Sequence, residues 1–153
     1  MPKEEAVELC KEGNKYYDQK KYWKAISIYN KAIDIDPEYK WPWFNKGSSF
    51  VMLARSTKKN KYLPKAVETL EKAVKIDPNF IEALIQLVSV YAGLKDTQKM
   101  VDYFKQAEQV NPNHPYVKKS AKDFHEMERL RDDTIKQYED ILDLANKELK
   151  NKK

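Results

Sequence analysis

A chain of 153 residues can bury a real core, but with 35% charged and 41% apolar residues that core must be narrow, a balance that helices laid side by side satisfy. The three glycines, Gly13, Gly47 and Gly93, stand far apart, which excludes a Gly-rich phosphate loop of Rossmann or Walker type. One cysteine, Cys10, and two histidines, His114 and His125, exclude an intrachain disulfide and a closed four-ligand zinc site, and no cofactor or metal is expected.

The chain opens on Met-Pro-Lys-Glu-Glu-Ala, charged from the start, and no later stretch approaches the roughly 18 apolar residues of a membrane span. A cytoplasmic protein with no membrane partner is expected. From Leu9 onward apolar and small residues recur at three and four, the period of a helix. Leu9, Gly13 and Tyr16 make one stripe, and Tyr22, Ala25, Ile26, Tyr29, Ala32 and Ile33 a second. The pattern returns as Trp43, Gly47, Phe50 with Leu63, Ala66, Val67, Leu70, Ala73, Val74, and again as Leu84, Val88, Tyr91 with Met100, Val101, Phe104, Ala107. Each second helix stops at an Asp-Pro or Asn-Pro pair, because proline disfavours helical backbone in the residue before it.

Those prolines, Pro37, Pro78 and Pro112, are 41 and 34 residues apart, whereas Gly13, Gly47 and Val88 are 34 and then 41 apart. Seven extra residues therefore lie between the two helices of the second unit, within Arg55 to Tyr62, and are expected as a surface loop whose excision is nearly neutral. After Pro115 the spacing Val117, Ala121, Phe124, Met127, Leu130, Ile135, Tyr138, Ile141, Leu142, Ala145, Leu149 stays near 3.5, so the end of the chain is helical. Two forms fit: one continuous helix, or a bend near Arg131 to Asp133 with a packed final helix.

The run Leu9, Glu12, Gly13, Tyr16, Tyr22, Ala25, Tyr29, Ala32, Pro37 resembles the tetratricopeptide repeat (TPR), with Leu9 where tryptophan is usual. The resemblance implies an all-α, right-handed α-α superhelix of three helix-turn-helix repeats, about 6–39, 40–80 and 81–114 within 4–114, followed by a C-terminal capping or extension helix, 115–153. It also implies a concave groove that holds an extended peptide or a partner helix. Turning about 130° from the packing stripe at 100° per residue gives the face that would line it. That face carries Asn14 and Tyr17 in the first repeat, Trp41, Phe44, Asn45 and Ser48 in the second, and Ile85, Gln86 and Ser89 in the third. Cys10 and Glu82 share it.

The expected function is a non-enzymatic adaptor or scaffold for an unidentified protein or peptide, with aromatic anchors at Trp41 and Phe44 and amides that bond a peptide backbone. Asn14 and Asn45 fit a ligand role or plain solvation, Trp41 fits an anchor or a staple beside Pro42, and Trp43 falls on the packing stripe. TPR domains that bind chaperone tails through a carboxylate clamp share Asn14 and Asn45. Their cations are replaced here by Cys10, Glu82 and Gln86, and a buried anionic tail facing Glu82 would be repelled, so chaperone-tail binding is expected to be absent. The alternatives are a homodimer through the C-terminal helix, and weak anion or RNA binding through Arg55, Lys58, Lys59, Lys61 and Lys65. Nucleic acid is disfavoured because arginine, the residue of bidentate phosphate and base contacts, occurs only at Arg55, Arg129 and Arg131. No nucleophile, base or metal constellation is evident.

Overall fold

A computed structural model describes residues 1–151, with the side chains of residues 145, 146 and 148–151 outside that description. Ala145 and Leu149 of the expected terminal seam, and the last two residues of the expected segment 115–153, thus lie outside the described residues. The helices are α1 (Glu4–Asp18), α2 (Tyr22–Ile35), α3 (Lys40–Thr57), α4 (Leu63–Ile76), α5 (Ile81–Gly93), α6 (Thr97–Val110) and α7 (Pro115–Asn151), and no strand occurs among the described residues. The contacts fall into two units, Met1–Pro112 and a second from Asn113 onward.

In the first unit α1 pairs with α2, α3 with α4 and α5 with α6, while α2 against α3 and α4 against α5 join one pair to the next. The stripes seen in the sequence are the buried faces: α2 buries Tyr22, Ala25, Ile26, Tyr29, Ala32 and Ile33, and α5 buries Leu84, Val88 and Tyr91. Each large apolar side chain so buried contributes about 1.5–3 kcal/mol. The pairs close tightly because α1 and α3 offer no side chain where their partners cross. A Cβ on Gly13 would stand 2.4 and 2.7 Å from the Tyr29 ring carbons Cε1 and Cδ1, and one on Gly47 2.7 Å from Leu70 Cγ.

Chain reversals repeat as strictly as the helices. After α1, α3 and α5 a lysine takes the left-handed conformation, Lys20 (φ 59°), Lys58 (φ 54°) and Lys95 (φ 61°). The next amide reaches back five residues, Lys21 to the Tyr16 carbonyl, Lys59 to Ala54 and Asp96 to Tyr91, which closes a Schellman cap each time. A side chain in this conformation costs about 1–2 kcal/mol, a strain that glycine avoids. At the other reversals the Asp36 and Asp77 carboxylates accept the amides of Glu38 and Asn79, two residues on, and so fix the turns at Pro37 and Pro78. Trp43 is half-buried on its stripe and donates its indole N–H to the Pro37 carbonyl at 2.9 Å.

The seven extra residues are not a plain surface loop. They lengthen α3 to 18 residues, against 15 in α1 and 13 in α5, and then form a 3-10 turn, Asn60–Tyr62. Residues 55–61 are exposed, but Tyr62 at the end of the segment is half-buried, packs against the core and meets the Trp23 ring edge-on at 5.7 Å. The third pair is tied to α4 by Glu71, whose Oε1 accepts the hydroxyls of Tyr91 (3.0 Å) and Tyr103 (2.8 Å), two rings stacked at 5.5 Å.

The second unit is one helix of 37 residues, continuous through Arg131, Asp132 and Asp133, so the form without a bend is the one observed. It exposes about half or more of Leu130, Ile135, Tyr138, Ile141, Leu142 and Leu144. No described helix is long and apolar enough to cross a membrane.

Two outcomes follow from this packing. An ordinary interior Gly→Ala change gains about 1 kcal/mol of helix propensity, but at Gly13 the clash with a buried ring costs about 1–3 kcal/mol. Gly13→Ala should therefore lower the melting temperature, while Gly93→Ala, which meets only the Leu63 Cδ1 tip at 3.1 Å, should leave it unchanged or higher. Excising residues 56–62 removes the Tyr62 ring and should destabilise the chain by about 1–3 kcal/mol in urea titration; an unchanged midpoint would restore the loop description.

Candidate functional site

On α3 the residues Trp41, Phe44, Asn45 and Ser48 follow one another at helical spacing, and neighbouring elements bring a partner to each of them. Asn14 on α1 meets Asn45 on α3: the Asn45 Nδ2 donates to Asn14 Oδ1 at 2.9 Å and to the Cys10 sulfur at 3.5 Å. The same Asn14 oxygen accepts the Tyr29 hydroxyl at 2.7 Å. Burial pushes the Tyr29 phenol far above its ordinary range, with Cys10 and Tyr17 adding to the effect, so it remains a donor. Burial also raises the Cys10 thiol, opposed by the Asn45 hydrogen bond, and Cys10 acts as a packed apolar group beside Ala25 and Tyr29.

This arrangement leaves two groups over. The Asn14 Nδ2, on an exposed side chain, has no acceptor among the described residues, and the Asn45 Oδ1 has no donor. A free amide N–H beside a free amide oxygen matches the C=O and N–H that a single residue of an extended peptide turns to the same side. One step along α3, the buried Ser48 donates to Gln86 Oε1 on α5 at 2.7 Å, which leaves the half-buried Gln86 with a free Nε2.

Trp41 and Phe44 stand at the N-terminal end of α3 and enclose Phe80, with centroids at 4.9 Å (Trp41–Phe80), 5.1 Å (Phe44–Phe80) and 5.9 Å (Trp41–Phe44). Phe44 is half-buried in two core clusters, so it packs as well as faces the site. Trp41 is 38% exposed and lines a cleft of about 600 Å³ with Val7, Tyr39 and Lys40. Lys40 lies 4.4 Å from the Phe80 centroid and pairs with Asp77, whose carboxyl its hydrogen bond holds below the ordinary range.

Of the remaining expected residues, Tyr17 packs beside Cys10 and Tyr29, whereas Ile85 and Ser89 stand apart from these groups. Tyr17 turns edge-on to Tyr22 at 5.4 Å, near the far end of α1. Ile85 is half-buried with no polar or ring contact, and Ser89 is exposed in a small cleft of about 280 Å³ that it shares with Arg55 and Gly93. Sequence inspection passed over Phe80, Lys40 and Arg55 as parts of the site. Phe80 stands two residues after Pro78 as Tyr39 does after Pro37, and Arg55 follows Met52 by one step on the Trp41–Ser48 stripe, so repeat position carried both signals.

Family models match the chain as "TPR repeat" over residues 13–53 and as "Tetratricopeptide repeat" over 43–80 and 81–114. The chain belongs to the tetratricopeptide repeat family. It is 28% identical to the small glutamine-rich tetratricopeptide repeat-containing protein 2 of Mycosarcoma maydis over 114 residues, which is 74% of this chain but 30% of that relative's length. The TPR domain of Sgt2 from Aspergillus fumigatus superposes with a TM-score of 0.71 at 21% identity, covering 86% of this chain and 83% of that one. The first TPR of Spaghetti (RPAP3), bound to the HSP90 peptide SRMEEVD, superposes with a TM-score of 0.68 at 23% identity, covering 80% and 92%. The fold is thus a helical TPR solenoid.

One expectation is overturned by these relatives. The residue types at Cys10, Glu82 and Gln86 led to the expectation that chaperone-tail binding is absent, yet a domain of this fold is seen with the HSP90 peptide SRMEEVD. The exclusion assumed a buried charge at Glu82; Glu82 is exposed, where solvent and salt screen a repulsion to little effect.

A pH dependence follows from the tyrosines. Burial raises the phenols of Tyr29 and Tyr103, and pushes Tyr91 up to about 12 with help from Glu71. Each raised group holds its proton more tightly folded than unfolded. Its contribution is therefore whole below the unfolded value of about 10 and is lost as pH climbs above it. Melting temperature should fall steeply from pH 10 toward 12, and less steeply in Tyr29→Phe; a flat profile would contradict the buried hydroxyls.

Proposed function

We propose that this TPR domain is a protein-interaction adaptor that holds an extended peptide of a partner across the face formed by Asn14, Asn45, Ser48 and Gln86, with Trp41 as its exposed aromatic anchor. The support is the donor and acceptor left over on Asn14 and Asn45, which pair with backbone and so bind without demanding one side-chain sequence. Aromatic anchors dominate such interfaces, and Trp41 offers its ring beside a cleft with Phe44 and Phe80 already packed behind it. Tyr17, Ile85 and Ser89 would border the same peptide. The peptide SRMEEVD, seen bound to a TPR domain of this fold, is the first ligand to test.

The test is a titration of labelled SRMEEVD into native and variant chains. Losing two neutral hydrogen bonds in Asn14→Ala/Asn45→Ala should weaken binding by about 1–3 kcal/mol in total, roughly ten- to a hundredfold. Trp41→Ala should cost about 2 kcal/mol or more. Should Lys58→Ala/Lys59→Ala lose affinity while both groove variants keep it, the basic segment is the working surface and the groove assignment fails.

A second assignment, self-association through α7, is favoured by the exposed Ile135, Tyr138 and Leu142, spaced three and four apart as in a coiled-coil seam.

A further inference from the structure

Away from the groove, where the turn after α1 meets the end of α3, an open cleft of about 790 Å³ is edged by Lys20, Lys21, Lys24 and Arg55. No acid lines it, and none of the four cations pairs with a carboxylate among the described residues. Trp23 and Met52 supply its apolar surface. Trp23 is 54% exposed, yet its ring is held edge-on by Phe50 at 6.2 Å and Tyr62 at 5.7 Å, so one large apolar face is presented to solvent in a fixed orientation. An anchor already fixed loses little freedom on binding. Lys20 adds a second mark: it occupies a left-handed cap where glycine is the unstrained choice, and its charge is thereby aimed at the rim of this cleft.

We propose that this cleft is a second binding site, which takes an acidic segment of a partner protein that carries an apolar side chain. The apolar side chain lies on Trp23 and Met52, and the flanking carboxylates meet Lys20, Lys21, Lys24 and Arg55. Lys58, Lys59 and Lys61, exposed and free of acids in the segment that follows α3, extend the positive field and steer the approach. The site does not depend on the groove: it uses none of Asn14, Trp41, Asn45, Ser48 or Gln86.

The experiment uses the full chain and a fluorescein-labelled short peptide of Asp and Glu around a central Leu, beside its Asn/Gln counterpart. The acidic peptide should bind, and the neutral one at least about tenfold more weakly, with affinity falling as salt rises. In Lys20→Gly/Lys21→Ala/Lys24→Ala affinity should drop by about tenfold or more, while the melting temperature stays level or rises because glycine relieves the cap. Asn14→Ala/Asn45→Ala should bind the acidic peptide as the native chain does, which separates failure of this site from failure of the groove. By NMR the Trp23 indole N–H should shift on titration and that of Trp41 should not. Equal affinity in the lysine variant, or a shift at Trp41 alone, overturns the proposal. Tighter binding of a poly-uridine RNA or of phosphatidylserine vesicles than of the peptide overturns it too, because the occupant would then be of another class.

Discussion

The hydrogen-bond network of Asn14 and Asn45 depends on one missing side chain. Gly13 has no Cβ, and the space it leaves is filled by the ring of Tyr29 from the partner helix. That approach puts the Tyr29 hydroxyl on Asn14, and Asn14, so held, receives the Asn45 amide from the next repeat. A backbone contact within one helix pair therefore sets the polar register between two repeats. Were the pair a few tenths of an ångström wider, the three-residue network would open and each amide would turn to water. Gly47 repeats the device against Leu70, which steadies the helix bearing Asn45 and Ser48.

Charge is organised by a different rule. Along the helices lysines and acids alternate and largely cancel, but at the three equivalent turns the chain uses Lys20, Lys58 and Lys95 where glycine would be less strained. Helix caps are ordinarily chosen for stability, and a residue type that costs stability at one repeat would be unremarkable. Its recurrence at all three places a cation at each of these turns. The proposed peptide face and the cationic cleft of Lys20, Lys21, Lys24 and Arg55 are thus separate surfaces built from the same repeat.

Helix positions, pair boundaries and the faces carrying Asn14, Asn45, Ser48 and Gln86 were legible in the sequence because a 3.6-residue period and an Asp-Pro stop are local properties. Interhelix distance is not local, so the bonds of Asn14 to Asn45 and Tyr29, and of Ser48 to Gln86, could not be read from spacing. Cys10 shares the expected face by angle alone, yet it stands one helical turn from Gly13 and is buried with it and Ala6. The segment 56–62 reads as a loop because the extra residues fall between the two helices of its unit and are basic; Tyr62 is tied down by Trp23, a contact 39 residues apart in sequence. Glu82 was misjudged for a related reason, since residue type discloses charge but not the solvent that screens it.

In the proposed function the free Asn14 N–H and Asn45 oxygen receive the C=O and N–H of one residue of an extended peptide. Side-chain amide NMR tests it most directly, with SRMEEVD titrated into chain labelled with nitrogen-15. The account predicts that the Asn14 Nδ2 protons move downfield and saturate together with binding, with those of Asn45 following through the shared hydrogen bond. Saturable binding that leaves both asparagine amides where they were would contradict it.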